Sequence, residues 1–149
     1  MGMYDSIEVS ASGLSAERLA MDVIANNLAN ANTTRTPEGG AFKRQLVVFA
    51  QKQEQPSPAD AANGADSDPA LSHAGVQVVG IVNDTSPDRL VYEPSHPDAD
   101  AQGYVHMPNV DVVKEMVDMM AASRAYQANV TAMEETRTQG SSALTLLKA

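Results

Sequence analysis

The chain has no cysteine and no tryptophan, and aromatic residues make up only 4% of it. The first absence excludes disulfides and thiolate metal sites. The scarcity of rings, with Met, Leu, Val, Ile and Ala as the main apolar residues, points to thin, adaptable packing between helices rather than a thick core. Basic residues are also few, 10 Lys and Arg against 19 Asp and Glu, for a net charge of −9. That charge divides as −3 over residues 1–32, −5 over 33–108 and −1 over 109–149. Nucleic acid is therefore excluded as a partner, because binding it requires a basic face that displaces counterions. Long apolar runs are missing as well: no stretch reaches the roughly eighteen residues a membrane helix needs, so no direct membrane insertion is expected. Met1-Gly2-Met3-Tyr4-Asp5 lacks a basic segment leading into an apolar one, and no ordinary cleaved signal peptide is expected.

What the chain does have is crowded towards its two ends. From Asn109 to Ala149 there is no proline, and Met116, Met119, Ser123, Tyr126, Val130, Met133, Arg137, Gly140, Leu144 and Leu147 recur at steps of three and four. Residues so spaced share one face of a helix, and the stripe is the kind that faces another helix. Asn109 is the expected N-cap, with Asp111 favourably placed near the positive end of the helix dipole. Gly140-Ser141-Ser142 is the expected weak point, a place for a kink or a frayed end. A second stripe, Ile7, Ser10, Leu14, Glu17, Met21, Ile24, Leu28 and Ala31, predicts a partner helix from Asp5 to about Ala31. Its amide-rich end, through Asn26, Asn27 and Asn30, reads equally as a helix C-terminus and as a set of donors aimed at a neighbouring helix.

Between the helices, Phe42–Ala50, Val76–Val82, Arg89–Glu93 and Gly103–Met107 read as short strands separated by turn chemistry. Gln51 to about Ala74, with Pro56, Pro58 and Pro69 and little to bury, reads as a flexible acidic loop. The expected class is α+β: long terminal helices pairing in a coiled-coil-like unit around a small β-rich insert. Its segments are 1–34 for the N-terminal helix, 35–108 for the insert with its loop at about 52–74, and 109–149 for the C-terminal helix. Such helices are marginal alone. Pairing them leaves flanks such as Val113, Val117 and Met120, or Ala11, Ala20 and Ala25, to be covered by neighbouring molecules.

Catalytic chemistry finds no foothold. His96, Asp98 and Asp100, with His73 and His106 as remote additions, could be assembled into a cation site, but they read better as a solvated turn. The Gly39-Gly40 pair lacks the lysine and helix of a phosphate loop, and no nucleophile elbow is present. The seam methionines are packing residues rather than soft-metal ligands.

Ala25-Asn26-Asn27-Leu28-Ala29-Asn30-Ala31-Asn32-Thr33, together with Glu115-Met116, Arg124-Ala125-Tyr126 and Ala128-Asn129, resembles the paired terminal signature of the bacterial flagellar axial proteins. The middle motifs resemble the proximal-rod branch of that family: Thr33 to Gly40, Gly75-Val76-Gln77-Val78 with Ile81-Val82, Leu90 to Pro94, His96 to Ala99, and Gly103-Tyr104-Val105 onward to Asp111. Ser123 stands where many axial relatives carry Gln, and the Arg35–Gly40 loop replaces a shorter turn. The resemblance implies a structural subunit, with no catalysis and no cofactor. It implies terminal helices packed as an inner tube around the export channel, the β-rich middle outward, and torque passed along a periplasm-spanning rod of the basal body. The implied partners are copies of the chain, other proximal- and distal-rod proteins, a basal-body adaptor protein and the flagellar type III export apparatus. Ends that become ordered only on incorporation would follow. The expected assembly interface comprises Ile7, Leu14, Met21, Ile24, Asn26, Asn27, Leu28 and Asn30 near the start, and Met116, Met119, Arg124, Tyr126, Asn129, Val130, Met133 and Leu144 near the end. The alternatives are another rod- or hook-type subunit, or a helical adaptor binding one partner through its C-terminal seam.

Overall fold

A computed structural model describes residues 3–52 and 75–146. Of the acidic stretch expected to loop, Gln51 to about Ala74, Gln51 belongs to a strand instead, and residues 53–74, His73 among them, lie outside the described residues. Helix α1 spans Met3–Ala29 and helix α2 spans Val112–Leu146. At about 1.5 Å per residue these are long rods of roughly 40 and 50 Å. They lie antiparallel. Asn27, near the end of α1, bonds Glu115 in the first turns of α2, and further along Gly13 approaches Asn129.

Between them the described residues form four strands in two antiparallel pairs. β1 (Gln45–Gln51) pairs antiparallel with β2 (Val76–Asn83), with a bulge between Val48 and Phe49. β3 (Arg89–Tyr92) pairs antiparallel with β4 (Tyr104–Met107). The β1–β2 ribbon runs alongside α1, fastened at one end by Gln45 to Asn26 and Asn27 and at the other by Val76 N–H to Ser12 Oγ and by Lys52 to Glu8. The β3–β4 turn closes through Gly103, whose φ is 85°. An added Cβ there would meet Tyr92 Cε2 at 2.9 Å, so glycine is required both for the backbone conformation and for space.

The fold is α+β with two long terminal helices and a small two-sheet middle, as the sequence led us to expect. The buried positions coincide with the expected stripes only at Ala31 and Gly140. The buried residues of α1 and its exit are Ala16, Ala20, Val23, Asn27 and Ala31, and those of α2 are Glu115, Ala122 and Gly140. Small side chains let the backbones approach closely, and the larger Leu14, Met21 and Ile24 are left on the flank, half-buried.

Three local expectations are corrected. Ala20, expected on a flank left for a neighbouring molecule, is buried within the protomer. Asn109 does not cap α2. Its side chain accepts from Arg44 N–H at 2.8 Å and donates to the carbonyls of Asp84 and Ser86, so it is committed to the middle segment. Asp111 is the cap instead, accepting from Val113 N–H at 2.9 Å and Lys114 N–H at 3.4 Å. Nor does α2 break at Gly140-Ser141-Ser142; it continues to Leu146.

Candidate assembly interface

The chemistry of the molecule is concentrated where the end of α1, the entry to β1 and the start of α2 meet. The helical period places Asn27 on the inner face of α1, one turn after Val23. Its amide works in two directions: Oδ1 accepts from Gln45 N–H at 2.9 Å, while Nδ2 donates to Gln45 C=O at 2.8 Å and to Glu115 Oε2 at 3.0 Å. Asn27 thereby mimics a strand neighbour for the first residue of β1. Asn26 adds a bond to Gln45 Oε1, and Asn30 turns back on Asn26 at the helix end. The two readings of the amide cluster are both realised, one residue serving the tertiary contact and another the terminus.

Glu115 is wholly buried, yet its carboxylate is satisfied. Oε1 accepts from Arg44 Nε and Oε2 from Asn27. The same guanidinium reaches Asp118 Oδ2 at 3.1 Å, one helical turn further along α2, and lies 4.0 Å from Asp84 Oδ2. A buried charge is tolerated only when paired and hydrogen-bonded, and among the described residues no buried side-chain polar atom lacks a partner. Arg44, Gln45 and Asp118 were not singled out by the sequence. Charge pairs 71 and 74 positions apart leave no local signal.

The residues considered for a cation are instead consumed by their own turn. His96 Nδ1 accepts from Asp98 N–H, Asp98 accepts from Thr34 Oγ1, and Asp100 Oδ1 accepts from the N–H groups of Gln102 and Tyr104. The Tyr104 N–H bond is the main reason the Asp100 carboxyl lies below its ordinary value. Asp84 is likewise lowered, chiefly by the Ser86 hydroxyl and then by the Ser86 N–H. His106 Nδ1 lies 3.7 Å from Asp88, whose carboxylate pairs with Lys43.

The outer faces carry exposed apolar side chains. On α2, Val113, Met116, Val117 and Met120 form an exposed stripe, Val113 at 70%. On the ribbon, Val48, Phe49, Val79, Ile81 and Val82 are exposed, and the cross-strand rings of Tyr92 and Tyr104 pack edge to face at 5.3 Å on the surface. Of the expected interface positions, Ile7, Leu14, Met21, Ile24 and Asn30 are half-buried, Leu28 and Asn26 are exposed, and Asn27 is buried. Met119, Tyr126, Asn129, Val130 and Met133 are half-buried, while Met116, Arg124 and Leu144 are exposed. No helix among the described residues is long and apolar enough to cross a membrane.

The chain is similar in sequence to known proteins. The family described as "Flagella basal body rod protein" matches residues 7–35, and the family described as "Flagellar basal body rod FlgEFG protein C-terminal" matches residues 101–146. The flagellar basal-body rod protein FlgC of Borreliella burgdorferi is 44% identical, with 99% of each chain covered. The chain belongs to the FlgC family of flagellar basal-body rod proteins. The FlgC of Bacillus subtilis is 43% identical over 92% of this chain and 93% of its own, and that of Salmonella typhimurium 38% identical over 98% of both. The two family matches fall on the helices that carry the Asn27 and Glu115 contact, and the FlgC relatives span the β-rich middle as well.

Proposed function

We propose that this chain is a structural subunit of the proximal rod of the bacterial flagellar basal body, a segment of the motor's drive shaft. The observation that carries the proposal is relatedness over nearly the full length to proteins named as FlgC rod proteins. The exposed apolar stripe of α2 and the exposed ribbon supply the physical rationale. Patches of this kind mark surfaces that other molecules cover. Copies of the chain and other proximal- and distal-rod proteins cover them, with the basal-body adaptor protein and the type III export apparatus as further partners. The terminal helices line a tube around the export channel and the β-rich middle faces outward, in the periplasm-spanning part of the basal body. On this reading the chain needs no cofactor and performs no catalysis; its work is to pass torque through packed helices.

The test is complementation. Placed in a flagellated bacterium lacking its own FlgC, the chain is expected to restore swimming and to co-purify with basal bodies. Stable expression with neither outcome would overturn the proposal.

A further inference from the structure

We propose that the outward face of α2 docks on the outward face of α1 in a second copy of the chain, head to tail, with an ion pair between Arg124 and the second copy's Asp22 setting the register. The inference deepens the rod-subunit reading, and rests on it, by committing the α2 stripe to one occupant.

The two faces follow from what the helix pair buries. A step of two residues turns a helix by about 200°. Val117 and Arg124 stand two residues beyond the buried Glu115 and Ala122, so with Val113 and Met120 they form a stripe pointing away from α1. Steps of two either way from the buried Ala16, Val23 and Asn27 lead to Leu14, Arg18, Met21 and Ala25, pointing away from α2. The β1–β2 ribbon bonds α1 at Glu8, Ser12, Asn26 and Asn27 and leaves Arg18, Asp22 and Ala25 exposed. The two faces therefore lie on opposite sides of the protomer.

Their chemistry is complementary. The α2 face is large and apolar, with Val113 70% exposed and Val117 and Met120 each 53%, and it ends in the positive charge of Arg124. The α1 face is small at its exposed centre, Ala25 and Ala29, and carries the negative charge of Asp22. Among the described residues neither Arg124 nor Asp22 has an ion pair, whereas Lys43, Arg44 and Lys52 all do. With Arg124 set antiparallel against Asp22, Met120 falls over Ala25 and Val117 over Ala29, large against small. Arg18, one turn before Asp22, falls opposite the small and exposed Ala128.

The direction follows from the fold. Because α1 and α2 are antiparallel within a protomer, a copy moved sideways without being turned end over end presents its α1 antiparallel to α2. Opposite faces joined in this way make a heterologous contact, which propagates from copy to copy instead of closing on a two-fold pair. The apolar residues supply the contact, and the charges fix its register.

The chain has no cysteine, so introduced thiols are the only ones it carries. Cells lacking their own FlgC are complemented with the chain carrying Ala25→Cys and Met120→Cys together, and purified basal bodies are treated with a short bismaleimide. A ladder of linked multimers of this chain is expected, with no link between copies from either substitution alone. Arg124→Asp is expected to lower incorporation into basal bodies by roughly tenfold, through a like-charge clash, and adding Asp22→Arg to restore it. Dimers from Met120→Cys alone, an incorporated double variant that never links to its own kind, or no rescue by Asp22→Arg would overturn the proposal. Failure of the unaltered chain to enter basal bodies would instead strike the rod-subunit reading, so the two failures are distinguishable.

Discussion

Asn27 Nδ2 donates to Glu115 Oε2 at 3.0 Å across 88 positions of chain, joining the last turn of one terminal helix to the first turns of the other. Because Arg44 occupies the other carboxylate oxygen, the three residues stand or fall together. Arg44→Ala leaves a wholly buried carboxylate without its cation, and urea denaturation is expected to show a loss of about 3–5 kcal/mol. Replacing both members by apolar residues, Arg44→Met with Glu115→Leu, is expected to cost less than Arg44→Ala alone. A double variant as unstable as the single one would show that packing around Arg44 matters more than its charge.

The stripe of α2 behaves oppositely. Met116 and Met120 are each 53% exposed and support little inside the protomer. Met116→Glu and Met120→Glu are expected to change the stability of the monomer by no more than about 0.5 kcal/mol. Swimming in the complementation strain is expected to be lost, since a carboxylate would then be buried between subunits. A destabilised monomer would place these methionines in the protomer's own core instead.

These outcomes bear on what could be read from the sequence. The two helices were legible because their period extends over many turns. The face they share was legible only in part: the stripes included Ala31 and Gly140, which are buried, but passed over Ala16, Ala20, Val23 and Ala122, which are buried too. Small residues permit close approach without announcing it in hydropathy. The four strands were legible from their β-branched runs and turn residues. The contact joining Asn27, Arg44 and Glu115 was half legible: Asn27 stood out in an amide cluster, while Arg44 looked like any charged residue at a strand entry. Asn109 was misassigned because a good capping residue is equally good at bridging a loop, and the partners that claimed it, Arg44, Asp84 and Ser86, are distant in sequence.

Gly103→Ala is a test of the β3–β4 turn. With φ at 85° and Tyr92 at 2.9 Å from the new Cβ, the substitution is expected to destabilise the turn by about 1–3 kcal/mol, seen as faster exchange at Tyr92 and Tyr104.

The same turn supplies a pH dependence. The Asp100 carboxyl is held below its ordinary value of 3.8, first by the Tyr104 N–H. A depressed folded value means that the stabilisation is fully present above the unfolded value and is lost as pH falls through the lower, folded one. Carboxyl titration by NMR is expected to find Asp100 below 3.8, and Asp100→Asn to remove its share of the acid sensitivity while keeping the turn. An Asp100 that titrates at or above 3.8 would contradict the geometry.

The account rests centrally on the outer face of α2 being covered by a neighbouring rod subunit. A photocrosslinking amino acid at position 120, in basal bodies purified from complemented cells, reads this directly. The account predicts crosslinks to a second copy of the chain or to another rod protein, absent from the free monomer. Incorporation into basal bodies with position 120 yielding no intermolecular crosslink would contradict it.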